Sequence, residues 1–305
     1  MEKVLITGIA GGLGRLLARR LHGDYDVVGV DRVPWENRPR EVRFYQVDHR
    51  KKRFEDVIRR EKPHAIVHLA FIRHFDDDPT TRHEVNVAGT TRLLELAVEY
   101  AVKKLIIFSS SYVYGALPEN PFYMDENYPL NASRTYPEVR DLVEVDTLAG
   151  AYLWRYPKIH TAVLRPVSVL GYDVSSAIGR YLGLDLVPTV MGFDPMMQFI
   201  HEEDVADAIG RTIATNLRGI YNVVGPPAVP LSVAIRATGG LAVPLPEFIT
   251  RPAVTALFRF GMYPFPPGVI DFVKYPCTLD GSRFEAAAGF TPRFSLEETF
   301  ASVRN

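Results

Sequence analysis

The chain has 305 residues, with 35 Lys and Arg against 36 Asp and Glu, a formal net charge of -1, and 47% hydrophobic and 23% charged residues. These proportions fit a globular chain and exclude a disordered or fibrous one; the balanced charge offers no field for nucleic acid or an anionic membrane. The single cysteine, Cys277, excludes an internal disulfide framework.

No apolar run reaches the length of about 18 residues that a membrane span needs. Met1-Glu2-Lys3 leads straight into a strand-like segment, so no signal peptide is expected and a reducing cytoplasm is the expected compartment. Short apolar runs at residues 4–7, 27–30, 65–69, 105–108 and 162–164 read as buried parallel strands. Between them, residues 13–21 put Leu13, Leu16, Leu17 and Leu21 on one helical face, and residues 90–101 do the same with Leu93, Leu94, Ala97 and Ala101. Strand, helix and strand in alternation predict an α/β fold, a Rossmann-type doubly wound parallel sheet. After residue 170 the alternation lapses. Residues 171–197 are rich in Gly and Pro, residues 202–215 read as a helix, and residues 226–275 hold many of the 23 prolines. The expected organisation is a dinucleotide-binding domain over 1–170, with 198–224 returning to it. Residues 171–197 and 225–305 are expected to form a smaller, C-terminal substrate lobe. The basic run 50–53 and the acidic run 76–78 read as solvated surface.

The strongest local signal is Thr7-Gly8-Ile9-Ala10-Gly11-Gly12-Leu13-Gly14, after the first strand and opening the first helix. Gly8 permits a tight turn, Gly11 lets a pyrophosphate approach the backbone, and Gly14 lets the helix pack on the strand. The N–H groups of Gly12 and Leu13 belong to the helix N-terminus that faces the phosphates. The second strand ends in Asp31, about twenty residues on, where a carboxylate accepts hydrogen bonds from ribose hydroxyls. The same charge repels a 2′-phosphate, favouring NAD over NADP, while Arg32 beside it softens the preference.

The spacing G-x-x-G-x-x-G resembles that of the extended short-chain dehydrogenase/reductases, and within them the NAD-dependent epimerase/dehydratase family. The likeness continues in order through Val47-Asp48, Val67-His68-Leu69-Ala70, Asn86-Val87-Ala88-Gly89-Thr90, Phe108-Ser109-Ser110-Ser111-Tyr112-Val113-Tyr114-Gly115, Leu164-Arg165-Pro166 and Phe199-Ile200-His201-Glu202-Glu203-Asp204-Val205-Ala206. The resemblance implies cofactor contacts from Asp48, His49, Leu69, Ala70, Phe71, Arg73, Asn86, Ser109, Pro166 and Val167. It also implies hydride transfer, with a Tyr phenol exchanging a proton with a substrate hydroxyl or carbonyl and a Ser hydroxyl positioning that oxygen. Alignment on Val113-Tyr114-Gly115 gives the Ser role to Ser110. A homodimer through helices near 90–101 and 137–150 is implied by the resemblance alone.

Three features depart from the family pattern. Its Y-x-x-x-K appears as Tyr136-Pro137-Glu138-Val139-Arg140. On one helix, positions i and i+4 would meet, with Pro137 in the first turn. Arg140 would then supply the charge that lowers the pKa of the Tyr136 phenol, and would hold the nicotinamide ribose, without relaying protons. The other reading has Tyr136 merely packing at a helix start. Met197-Gln198 and Ser168 stand where nucleotide-sugar members carry Arg-Asp and Asn. That argues against a nucleotide sugar bound in the usual way, and nothing in the sequence selects Arg180, Arg211, Arg236, Arg251 or Arg259 as a substitute. Residues 241–275 hold Phe248, Phe258, Phe260, Tyr263, Phe265 and Phe272, which read either as core or as the wall of an apolar substrate pocket. No metal is expected: His201 and His68 belong to family segments, while His22, His64 and His160 stand alone. Cys277 has no local base and reads as structural.

The reading that follows is an NAD(H)-dependent oxidoreductase or epimerase acting on a small molecule through Ser110, Tyr136 and Arg140. A dehydratase is disfavoured, because Ser111-Tyr112 stand where that chemistry needs an acid/base pair. The alternative is a catalytically altered dinucleotide-binding sensor or scaffold, which the changed Tyr-to-cation motif keeps open.

Overall fold

The computed structural model describes residues 1–72, 78–136, 139–260 and 267–304. In chain order the elements begin β1 (Lys3–Thr7), α1 (Gly12–Leu21), β2 (Asp26–Asp31), β3 (Arg43–Gln46), α2 (Lys52–Glu61), β4 (Ala65–His68) and α3 (Pro79–His83). A π-helical turn, Glu84–Ala88, leads into α4 (Gly89–Glu99), then β5 (Lys104–Phe108), α5 (Ala132–Thr135), α6 (Arg140–Arg155), β6 (His160–Pro166), β7 (Ser168–Leu170), α7 (Ala177–Leu182) and β8 (Leu186–Val190). The chain closes with β9 (Met196–Met197), β10 (Phe199–His201), α8 (Glu202–Ala214), β11 (Gly219–Val223), β12 (Val229–Pro230), α9 (Leu231–Ala237), β13 (Leu241–Leu245), α10 (Glu247–Arg259), α11 (Val269–Phe272), α12 (Ser282–Ala288) and α13 (Leu296–Ala301).

Seven strands form one parallel sheet in the order β11-β6-β5-β4-β1-β2-β3. Val4, Leu5 and Ile6 of β1 are fully buried, because a parallel strand covered by helices on both faces has no wet side. One face packs on Leu16, Leu17 and Leu21 of α1 and Val205 and Ile209 of α8. The other packs on Phe54 and Ile58 of α2, Leu93, Leu94 and Ala97 of α4, and Val145 and Ala149 of α6. The chain order reverses between β1 and β4, and a crevice at the carboxyl ends of such strands is where this architecture takes ligands. The expected second helix runs short: α4 stops at Glu99, because Ala101 takes a positive φ of 51°. Three further strand pairs, β7 with β10, β8 with β13 and β9 with β12, lie outside the main sheet.

The charge runs divide. Lys51, Lys52 and Arg53 are exposed, whereas Arg50 is half-buried on Asp48. Asp78 caps α3 by accepting from the Thr81 N–H at 3.0 Å, and Asp76 and Asp77 lie outside the described residues. Among the lobe aromatics, Phe272 is buried, Phe248 and Phe260 are exposed, and Tyr263 and Phe265 lie outside the described residues.

A buried polar network ties the sheet to α6. Arg165 of β6 donates from Nε to Asp146 Oδ2 at 2.9 Å and from Nη2 to Asp146 Oδ1 at 2.5 Å. Its Nη1 donates to the Tyr114 hydroxyl at 2.8 Å and to the Glu126 carbonyl at 3.2 Å. Tyr114 passes its own proton to Asn222 Oδ1 at 2.7 Å, and burial pushes its phenol up to about 12. Removing one member leaves a buried opposite charge uncompensated. Asp146→Ala is therefore expected to lower unfolding stability by about 3–5 kcal/mol in urea denaturation; a change under about 1 kcal/mol would contradict the network's role.

Candidate functional site

Three backbone segments meet at the glycine turn. Gly8 has a φ of +73°, and a Cβ there would lie 2.8 Å from the backbone of Leu69 and Ala70. A Cβ on Gly14 would lie 2.7 Å from Ile9 Cα. Only glycine fits either place. The turn closes through Gly11 N–H to Gly8 O at 3.1 Å. Asp31 grips it from β2: Oδ2 accepts from the Ala10 N–H at 2.9 Å and Oδ1 from the Val33 N–H at 3.0 Å. Helix α1 has no side-chain cap and no acidic residue in its first turn, so its first N–H groups and the positive end of its dipole stay open to an anion.

Two adjoining cavities share Gly8, Gly11, Leu69, Phe71 and Ile72 as a common wall. The first, about 280 Å³, is completed by Asp31, Arg32, Asp48, His49 and Ala70 among others. The second, about 360 Å³, adds Gly12, Leu13, Gly14, Asn86, Ser110, Pro166 and Val167. Burial alone would raise the Asp48 carboxyl, but hydrogen bonds from the side chain and main chain of Arg50 overcome it and hold it at about 2. Arg73 lies outside the described residues.

A line of hydrogen bonds stiffens the crevice from below. Thr90 Oγ1 donates to the Asn86 carbonyl at 2.5 Å, so its lone pairs face His68 Nε2 at 2.9 Å. That places the ring proton on Nε2 and leaves Nδ1 to accept from Thr7 Oγ1 at 2.7 Å. Asn86 then holds the main chain of Ile72 twice, accepting from its N–H at 2.8 Å and donating to its carbonyl at 3.0 Å. The π-helical turn that carries Asn86 is a feature found frequently at functional sites.

At the other end of the second cavity Ser110 and Tyr112 stand on the wall, but two expected members do not. Tyr136 is 1% exposed within an apolar cluster, its ring 5.6 Å from that of Phe272. With Tyr112 it lines a small separate cavity of about 20 Å³. It caps α5 with φ -130° and ψ 81°, whereas α6 begins at Arg140. The shared helix face expected for Tyr136 and Arg140 therefore does not form. Sequence explains it: the residue before a proline is pushed out of helical geometry, and Tyr136 precedes Pro137. Arg140 is exposed and donates from Nε to the Ser133 carbonyl at 3.4 Å. Ser109 turns its hydroxyl to Asp146 Oδ2 at 2.6 Å, inside the buried network.

Two wall components were not anticipated. Arg82 lines the second cavity one helical turn before Asn86; that spacing was the available signal. The segment 172–174 also crosses the glycine turn, so close that a Cβ on Gly12 would run into the Asp173 carbonyl. It is held by the buried Glu202 carboxylate, which accepts from the N–H groups of Tyr172 at 2.8 Å, Asp173 at 3.0 Å and Val174 at 2.7 Å. Arg19 adds an ion pair to Asp173 at 2.5 Å.

Of the arginines offered as a diphosphate ligand, Arg180 lines the second cavity, while Arg211 and Arg251 pair with Asp207 and Asp271. Met197 is buried in an apolar cluster. Gln198 is spent on the main chain of Leu279, accepting at 2.7 Å and donating at 3.0 Å. Burial pushes the Cys277 thiol up to about 12, in keeping with a structural role. No cluster of His, Cys, Asp and Glu fit for a metal occurs among the described residues, and no described helix is long and apolar enough to cross a membrane.

The sheet order and the glycine turn define a Rossmann-type dinucleotide fold. A sequence profile of the NAD dependent epimerase/dehydratase family matches residues 4–224, and the chain belongs to that family. It is 28% identical over 310 residues to an uncharacterized protein of Mycobacterium tuberculosis (strain ATCC 25618 / H37Rv), covering 97% of this chain and 82% of the relative. Its fold is similar to the UDP-glucose 4-epimerase of Thermus thermophilus solved with NAD, with a TM-score of 0.77, 24% identity and coverage of 99% and 97%. It is also similar to the dTDP-glucose 4,6-dehydratase of Bacillus anthracis str. Ames in complex with NAD, with a TM-score of 0.76, 17% identity and coverage of 99% and 96%.

Burial lowers the pKa of His68 well below its ordinary value, and that of His49 below its own. The fold therefore disfavours protonation of both, so their contribution is full above the unfolded value near 6.5 and is lost as pH falls below it. Unfolding stability is expected to drop below about pH 6.5 by up to about 1.4 kcal/mol per pH unit for each histidine. His68→Leu is expected to be less stable at pH 7.5 yet to lose less between pH 7.5 and 5.5. An unchanged pH slope in denaturant melts would contradict this.

Proposed function

We propose that the chain is an NAD(H)-dependent oxidoreductase or epimerase that acts on a hydroxyl or carbonyl of a small substrate. The observation that carries this is the pair of adjoining cavities running from Asp48, past Asp31 and the open N-terminus of α1, to Ser110. The residues fit a dinucleotide: Asp48 and His49 at the adenine, Asp31 at the ribose hydroxyls, Gly11 to Leu13 at the pyrophosphate, and Asn86, Pro166 and Val167 at the nicotinamide half. Asp31 favours NAD over NADP, with exposed Arg32 on the same wall. Bound there, NAD supplies a hydride acceptor and NADH a hydride donor.

The chain's own residues orient the substrate and move its proton. Ser110 hydrogen-bonds the reacting oxygen. Tyr136 exchanges the proton, an assignment supported by its place in the family motif, although its ring packs behind Tyr112 rather than on the cavity wall. The engagement of Met197 and Gln198 in core and main-chain contacts supports a substrate other than a nucleotide sugar held in the usual way. Residues beyond 170 supply the substrate side through segment 173–176 and α7. The family's dimer through α4 and α6 and a cytoplasmic location complete this reading. The catalytically altered sensor is favoured by one observation, the exposed Arg140 bonded to Ser133 rather than lining the cavity.

A screen of hydroxyl and carbonyl compounds with NADH and NADPH, following nicotinamide absorbance, separates the two. The enzyme reading expects turnover, with Tyr136→Phe lowering kcat about 100-fold or more, Tyr112→Phe lowering it less, and NADH affinity kept. Full activity in Tyr136→Phe contradicts the assignment. Tight NADH binding without turnover across the screen favours the sensor. NAD retained through purification marks an epimerase; ready exchange marks a reductase.

A further inference from the structure

Arg82 has no part in the reading above, yet its setting is unusual. Its side chain is 9% exposed, and its Nε donates to Asp141 Oδ2 at 3.2 Å. Asp141 also meets His83 Nδ1 at 3.4 Å, so the carboxylate is fixed from both sides. A guanidinium carries five N–H donors. Among the described residues no protein acceptor takes the four on Nη1 and Nη2 of Arg82, and the residue lines the cavity that holds Ser110 and Tyr112. Neither terminal nitrogen is sealed in the interior, so a ligand entering the cavity can reach both donors. The pairing through Nε leaves free the flat two-pronged edge that matches a carboxylate or a phosphate. The neighbouring wall of Ile72, Val139 and Leu142 is apolar, which strengthens any ion pair formed against it.

We propose that Arg82 is the substrate-anchoring cation of this site, and that the substrate carries an oxyanion, a carboxylate or a phosphate, within reach of the oxygen that Ser110 positions. This rests on the reading of the crevice as a dinucleotide site, in which the pyrophosphate goes to the α1 N-terminus and leaves Arg82 to the substrate. Asp141 positions the guanidinium and does not itself touch the ligand.

Acetate, oxalate and inorganic phosphate are titrated calorimetrically into the NADH-loaded protein and into Arg82→Gln and Arg82→Lys, with melting curves to confirm folding. At least one oxyanion is expected to bind the wild type. Its affinity is expected to fall about tenfold or more in Arg82→Gln and less in Arg82→Lys, which keeps the charge and loses the fork. NADH affinity stays within about twofold in both, well under the tenfold that 1.4 kcal/mol represents. Binding by acetate and oxalate alone marks a carboxylate, and by phosphate alone a phosphoryl group. The inference is overturned if none of the oxyanions binds, if they bind the variants equally, or if NADH affinity is what falls. Should NADH fail to bind the wild type, the cofactor reading falls, and Arg82-dependent oxyanion binding measured without NADH still decides this one.

Discussion

The crevice depends on one buried line of hydrogen bonds, from the Thr7 hydroxyl through His68 to Thr90 and on to the Asn86 carbonyl. It joins the end of β1, the end of β4 and the π-helical turn before α4, the three elements around the point where the strand order reverses. With every member satisfied, such a line is rigid; with one removed it leaves orphaned polar groups in a dry interior. Gly8 exploits that rigidity. Its left-handed backbone lies against Leu69 and Ala70 with no space for a Cβ, so the turn is shaped by β4 as much as by its own sequence. Asp31 completes the arrangement from β2 by holding Ala10.

The parts legible from sequence were those whose physics is local. Interior strands show as apolar runs because both faces are covered. The glycines show because their backbone geometry admits little else. β3, with Arg43, Phe44, Tyr45 and Gln46, escaped notice because an edge strand is half wet and carries no apolar run. β11 was hidden by Asn222, a polar residue fully buried because its amide serves Tyr114, Met124 and Asp280. The Tyr136 and Arg140 spacing looked helical, yet the proline that follows Tyr136 breaks the geometry the spacing assumes. Arg82 and Glu202 were illegible for another reason: their partners, Asp141 and the backbone of 172–174, are distant in sequence.

The long-range contacts shape the second cavity. Glu202 stands at the start of α8, yet its carboxylate spans back to fix segment 172–174 over the glycine turn. Gly12 is glycine because of that crossing, not only because of the turn. The glycine turn thus forms one wall of the second cavity, and the segment that Glu202 holds forms another. The altered residues Met197, Gln198 and Arg140 are all turned away from the cavity, into core packing, main-chain bonds and solvent. A cation remains on the cavity wall from a different helix, at Arg82.

The central claim is that this crevice holds a nicotinamide dinucleotide. Fluorescence titration of NADH and NADPH into the wild-type protein and into Asp31→Ala tests it most directly. The account predicts saturable binding of one NADH per chain, tighter than NADPH, with the preference lost in Asp31→Ala. Absence of saturable binding by either nucleotide, or binding that ignores Asp31, would contradict it.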